Sequence, residues 1–470
     1  MLTPRQIQQL YLRTGFGASF QEINQANGKP AGDLFKLILQ ASNDYSLLNT
    51  TSTADDELFG DRRNLSAKQR RKLNSIEKLK LYNLNLGWLH KMTNDKAQLR
   101  EKMTLFWHNH FACRTIFGSM VYRQNNMFRN HALGNFKALL QQLLKDSAML
   151  MFLNNNQNKV GAINENFARE FLELFTIGRG NYTENDVKEA ARAFTGWRAS
   201  LKEDGYFEAG RHDNGVKDFM GRTGNFNAYD IIDIVLENKK TAEFISEKFY
   251  KFFVSDVIHK EHVNEIADKF YNSDYEINSL LEAIFTSSWF YTDEIIGSKI
   301  KSPVELLVGL NKTINIKYTP ANPSLLIQRI LGQILFFPPN VAGWPGGKSW
   351  IDSSTIVLRL DLANKILKDY SLELKEEEMP TEMGDAMIEI FADNPVKIRK
   401  FNTIIGWDEF INQFRDISTR DLPDTLANYL IQTPVPENFL IDEELVYDSR
   451  DKMIKDLTVK ILSLPEYQLC

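Results

Sequence analysis

Apolar residues recur three or four positions apart through segment after segment of this chain, and that spacing fits a helix face and excludes a large sheet. The pattern predicts helices over about Ser75–His90, Lys96–Ala112, Phe136–Leu144, Glu165–Ile177, Asn185–Phe194, Tyr229–Leu236 and Ala242–Phe253. Further helices are expected near Ile277–Phe285, Pro303–Lys312, Leu325–Leu331 and Ser354–Leu367. Strand signal is thin. Its best candidate is a hairpin turning at Asp204-Gly205, with Arg198–Leu201 and Tyr206–Ala209 as arms. Segments rich in Gly, Asp, Asn or Pro, Gly210–Asn227 and Pro338–Trp350, read as long loops, the usual seat of function on a helical scaffold. The expected class is mainly α: a large multi-helix domain with a minor β-hairpin and long loops.

At about 150 residues per domain, 470 residues would make two or three. A hydrophobic share of 43% supplies an ample core. The net charge of −5 argues against a general nucleic-acid binder, whose affinity rests on a basic surface. The one basic run, Arg62, Arg63, Lys68, Arg70, Arg71 and Lys72, reads as a solvated helix face. Two cysteines, Cys113 and Cys470, give neither a disulfide framework nor a cysteine zinc site. No apolar run approaches the roughly 18 to 20 residues that span a bilayer. Met1–Arg5 opens into an amphipathic pattern without a signal-like stretch, so the chain as written is expected to be cytoplasmic. A charged stretch, Glu373–Glu378 with Pro380 and Gly384, reads as a boundary before a C-terminal part.

The densest polar pattern is Asn164–Phe175. On a helix, Phe167, Ala168, Phe171, Leu172, Leu174 and Phe175 share one side, and Glu165, Arg169, Glu170 and Glu173 the other. Asn164 is a natural N-cap and Gly178 a natural stop. The charged stripe reads either as a catalytic or ligand-binding face, or as a solvated ladder of i,i+4 pairs. His108-Asn109-His110 invites a metal reading, but residues two apart on a helix point about 200° apart and cannot both reach one ion from one face. His110 shares its face with Met103, Phe106 and Trp107 and is expected to point inward, as a core histidine or as a site residue.

His212-Asp213, near Gly215 and Lys217, could present imidazole, carboxylate and ammonium on a loop; Asx-turn chemistry is the competing reading. Gly221–Gly224 could form a backbone anion nest. In Pro338–Trp350, Trp344 and Trp350 would suit stacking on a sugar or another planar face, or would pin a buried lid. A Gly-x-Ser-x-Gly elbow, a dinucleotide fingerprint, an HExxH pair and paired Glu-x-x-His helices are all missing, which removes the simplest hydrolase, dehydrogenase, zincin and di-iron readings.

The run NENFAREFLELFTIG, followed by YTENDVKEAARAFTGW, from Asn164 to Trp197 resembles the signature of a bacterial family catalogued as domain of unknown function eighteen hundred. FWHNHF from Phe106, HALGNF from His131, HDNGVKDFMG from His212, KSPVEL from Lys301, PPNVAGWPGG from Pro338 and the closing LSLPEYQL extend the resemblance over nearly the whole chain. The resemblance implies one main helical domain over 1–370 with a C-terminal helical extension over 371–470 packed on it. Family members are frequently exported, which implies export here if a leader was trimmed. They also tend to accompany a second protein that looks like a sulfatase or phosphatase, which implies such a partner. Many carry His where this chain has Phe175.

Two functional expectations follow. One is an enzyme with a carboxylate/histidine site, using Glu165, Arg169, Glu170, Glu173 and Asp213 catalytically and His110 with His212 to hold a divalent metal for metal-assisted hydrolysis. On that expectation the two imidazoles lie within about 12 Å of each other, the span of two ligands on one ion. The other is a non-catalytic glycan- or protein-binding module acting with a partner enzyme, in which Lys217, Trp344 and Trp350 contact the ligand.

Overall fold

A computed structural model describes residues 1–49, 65–319, 323–369, 402–434 and 447–470. Helix accounts for 61% of the structure, and the described strands form three two-stranded antiparallel ladders. The mainly α expectation holds. No described helix is long and apolar enough to cross a membrane.

The periodic segments are helices, usually with better-defined ends than spacing alone gives. The Ser75–His90 segment lies inside Ala67–Asn94, which begins where Ser66 and Gln69 form a reciprocal capping box. Lys68, Arg70, Arg71 and Lys72 are exposed on its first turns, as expected of a solvated face, whereas Arg62 and Arg63 lie outside the described residues. Gly118–His131 was not visible as periodicity, because on its buried face Gln124, Asn125, Asn126 and Arg129 interrupt Met120, Val121 and Phe128. It packs across Ala67–Asn94, and both flank Gln98–His110, here termed the histidine helix.

The histidine helix lies at the centre. Trp107 and Phe111 stack in a layer with Phe136, and Phe106 contacts Phe249 with centroids 4.5 Å apart. Phe249 belongs to Lys239–Phe253, the lysine helix, which packs on Lys260–Asn272, itself packed on Ile277–Thr286. Burying one such aromatic side chain contributes about 1.5–3 kcal/mol. A core built from dozens of them keeps its central helix fixed.

Glu165–Ile177 departs from the single α-helix expected. Asn164 caps it by accepting from Asn166 N, α-helix runs over Asn166–Glu170, and a π turn follows over Phe171–Thr176. Thr176 Oγ1 donates to Phe171 O, and the amides of Ile177 and Gly178 converge on Leu172 O, which widens this last turn.

The expected hairpin forms with a shorter ladder, Trp197–Arg198 against Tyr206–Phe207. The Gly210–Asn227 loop contains a second, Lys217–Phe219 against Arg222–Gly224. That pairing corrects the nest reading of Gly221–Gly224: Arg222, Thr223 and Gly224 are strand residues paired to Phe219, Asp218 and Lys217. The third ladder pairs Ile316–Thr319 with Asn402–Ile405. Phe410, Leu426, Ile454 and Leu457 join the same buried cluster as Ile7 and Leu10. The charged stretch at 373–384 and the division expected at 371 lie outside the described residues.

Candidate ligand-binding cavity

Asn109 and His110, on the last turn of the histidine helix, line a cavity of about 370 Å³. The lysine helix contributes Lys248, Lys251 and Phe252, and the segment after it Asp256. Lys299, Ser302 and Glu305 close the floor, and the loop from Val341 to Trp350 forms a wall. The size falls within the roughly 300–1,000 Å³ of small-molecule sites.

Two glycines show how closely that loop is fitted. Gly343 has φ +91°, and a Cβ there would lie 2.3 Å from Asn109 Oδ1 and 2.4 Å from Asn109 O. Gly347 has φ +57°, and its Cβ would meet Asp256 Oδ2 at 2.4 Å. Both left-handed backbone and missing volume therefore call for glycine. The same Asn109 Oδ1 accepts from Trp344 N at 2.7 Å, so one side chain clamps the loop by hydrogen bond and by contact. Trp344 and Trp350 are 4% and 6% exposed and line the cavity as wall, not as an open platform. The Trp344 indole N–H is buried without a partner among the described residues.

His110 Nε2 lies 3.0 Å from Phe175 O. A carbonyl only accepts, so Nε2 carries the proton and Nδ1 presents a lone pair. Burial, reinforced by the Lys248 charge, lowers the His110 pKa to about 3, which keeps the ring neutral near pH 7. Its acceptor, Phe175 O, sits in the π turn, and Leu174 of the same turn lines the cavity. The Phe175 ring is 6.2 Å from that of His110, and a phenyl ring offers no ligand atom.

Among the cations, Lys251 is paired with Glu247. Lys299 is buried and donates to Lys251 O at 2.8 Å; burial lowers its pKa. Burial alone would raise the Glu305 carboxyl, but Lys102, 2.5 Å away, and Lys299 overcome this and bring it to about 2. Lys248 is half-buried with its ammonium 5.1 Å over the Phe244 ring; burial first, then Lys251, lowers its pKa. It has no ion pair or hydrogen bond among the described residues.

The charged stripe faces away from this cavity. Arg169, 36% exposed, forks onto Glu184 at 2.9 and 2.8 Å and reaches Glu165 at 3.3 Å. The Glu184 bond is the main reason its pKa is raised. Glu173 accepts from Tyr182 Oη at 2.8 Å and from Arg179, and Glu170 is half-buried with its pKa raised by burial and by Glu173. Only Glu165–Arg169 is an i,i+4 pair of the expected ladder; the stronger bonds run to Glu184, Arg179 and Tyr182.

Asp213 is gripped by Arg192 at 2.8 and 3.2 Å and accepts from Gly215 N, and Arg192 lowers its pKa to about 2. Lys217 is buried and spends its ammonium on Asp213 O and Gly215 O, inside the hairpin. His212 Nδ1 lies 3.0 Å from Thr195 O, and its ring packs on Phe207. His110 and His212 therefore share no partner: each is committed to a different carbonyl, and only His110 lines the cavity. Nor do three His, Cys, Asp or Glu side chains gather as a metal-binding group among the described residues. The structure brings together His110, Trp344 and Trp350 and leaves Glu165, Arg169, Glu170, Glu173, His212, Asp213 and Lys217 outside the cavity. Asn109, Lys248, Asp256 and Lys299 were missed; Asn109 stood in a quoted motif, whereas no pattern marked Lys248.

The family model described as protein of unknown function (DUF1800) matches residues 9–469. The chain belongs to this family. No curated protein and no solved structure matches significantly. For this DUF1800 member, the FWHNHF, KSPVEL and PPNVAGWPGG segments all contribute to one cavity wall or floor.

Proposed function

We propose that this DUF1800 chain binds a small organic ligand in the cavity between the histidine helix and the tryptophan loop. The carrying observation is the fit of the loop: Asn109 and Asp256 occupy the space of two missing side chains, and the wall so formed buries an indole N–H with nothing to donate to. An unpaired buried donor costs about 1–3 kcal/mol, which marks this wall as incomplete on its own. Phe106, Phe252 and Trp350 supply apolar surface for a planar or sugar-like face.

Metal-assisted hydrolysis draws less support. Glu165, Glu173 and Asp213 are engaged with Arg169, Arg179 and Arg192, and its two histidines are bonded to separate carbonyls. A sulfatase- or phosphatase-like partner rests on the family resemblance alone, and on this reading it would act on what the cavity holds.

Saturation-transfer NMR on the full chain with a panel of neutral and acidic mono- and disaccharides tests the proposal. Transfer to at least one sugar is expected, and Ala342→Trp should abolish it, because Ala342 is exposed at the cavity rim and an indole there would fill the opening. Unaltered far-ultraviolet dichroism would show that the variant folds. No transfer to any sugar, or transfer unchanged by Ala342→Trp, overturns the reading.

A further inference from the structure

The charges around the cavity do not balance, and the imbalance specifies a ligand. Lys251 is matched by Glu247, and Glu305 by Lys102. Asp256 is exposed to solvent at the loop. Lys248 and Lys299 then face the cavity with no carboxylate bonded to either among the described residues; Glu305 and Asp256 act on Lys299 from a distance, and Lys248 has only Glu247, itself bonded to Lys251. Lys248 also stands one helical turn from Lys251, a like-charge spacing that disfavours the empty protein by a few tenths of a kcal/mol. A partly buried ammonium without a bonded counter-charge is costly, so one kept at a cavity wall is poised for an anion.

Hydrogen-bonding capacity is equally lopsided. Among the described residues, Lys248 gives no hydrogen bond, Lys299 has given one to Lys251 O, and the Trp344 N–H is unpartnered. Against these donors stand the Asp256 carboxylate at the loop and one ring acceptor, His110 Nδ1, held as a lone pair because Nε2 is committed to Phe175 O. A complementary ligand is rich in acceptors, negatively charged at one end, and carries at least one hydroxyl for His110. Its remaining face is apolar enough to lie on Phe106, Phe252 and Trp350.

Resting on the binding reading above, we propose that the cavity selects a hydroxylated oxyanion of sugar size, its negative group seated on Lys248 with Lys299 as second donor and its hydroxyl on His110. A sugar acid, a sugar sulfate and a sugar phosphate share this chemistry.

Isothermal titration of the full chain with glucose, glucuronate, glucose 6-sulfate and glucose 6-phosphate separates them. At least one acidic sugar should bind about tenfold or more tightly than glucose, the scale of one charge-assisted contact. Lys248→Gln should erase that preference, bringing the acidic sugars to within about threefold of glucose for the same variant, and Lys248→Arg should retain most of it. Added salt should weaken only the acidic ligands. Equal binding of glucose and all three acidic sugars, or a preference that survives Lys248→Gln, overturns the assignment while leaving the binding reading intact. Inorganic sulfate or phosphate binding as tightly as the sugar derivative would overturn the hydroxyl contact. Failure of every sugar in both experiments would remove the binding reading itself.

Discussion

His108 and His110 are two residues apart on one helix, and the polar regions on their two sides are built on opposite plans. On the His108 side, Glu101 takes a bidentate fork from Arg129 at 2.7 and 2.8 Å and a bond from the Trp88 indole at 2.8 Å. Arg129 continues to Asn125 Oδ1 at 2.7 Å, and Asn125 Nδ2 reaches His108 at 2.9 Å. Every charge there has its counter-charge. On the His110 side, among the described residues, Lys248 has no bonded carboxylate, and the Trp344 N–H has no acceptor. Both regions contain an imidazole, a tryptophan and buried charge. A closed network stabilises and specifies the fold, whereas an open one, held by a rigid frame, is what a ligand completes.

The largest expected effect breaks the closed network. Glu101 and Arg129 are both 0% exposed, so Glu101→Gln strands a buried guanidinium and should cost about 3–5 kcal/mol in urea denaturation. Lys248→Gln, on the open side, should leave the midpoint unchanged or raise it. If Glu101→Gln cost no more than Lys248→Gln, the contrast between the two regions would fail.

Acid sharpens the comparison next. Burial depresses the pKa of both histidines, His108 well below its ordinary 6.5 and His110 to about 3. Between the unfolded and folded values the unfolded chain holds a proton that the native ring lacks. Stability is thus full above the unfolded pKa and falls as pH drops below it, at up to about 1.4 kcal/mol per pH unit for each ring. Asp146 opposes them: burial raises its pKa to about 6, so its contribution is full below 3.8 and lost as pH rises through about 6. Denaturation midpoints at a series of pH values should show a shallower acid loss in His110→Gln than in the native chain. An identical slope would mean that His110 titrates normally and is solvated.

The two regions also differ in how far the sequence reveals them. Helices with a clean apolar stripe were legible, and so was the inward face of His110. Gly118–His131 was not, because Asn125, Asn126 and Arg129 are buried as partners of the closed network, Gln124 is buried donating to Asp146, and together they break the hydrophobic period. The cavity was half legible. FWHNHF and PPNVAGWPGG stood out as motifs, but the bond from Trp344 N to Asn109 spans 235 positions, and no local pattern encodes such a meeting. Lys248 looks in sequence like any exposed helix lysine; what distinguishes it is that its neighbour Glu247 is bonded to Lys251 and no carboxylate among the described residues bonds Lys248 itself.

The smallest expected effect concerns the feature most conspicuous in sequence. In Asn164–Phe175 the apolar side does the positioning, through Leu174 at the cavity and Phe175 O on His110, and the charged side meets solvent. Arg169 is too exposed for its raised pKa to translate into stability, since water screens the pairs it makes. Arg169→Ala should therefore shift stability by less than about 1 kcal/mol and leave ligand affinity untouched, as read by denaturation midpoint and by calorimetry on one preparation. A loss of several kcal/mol would return the stripe to a buried cleft. A loss of affinity at constant stability would instead couple the stripe to the cavity through the π turn, the one element that touches both.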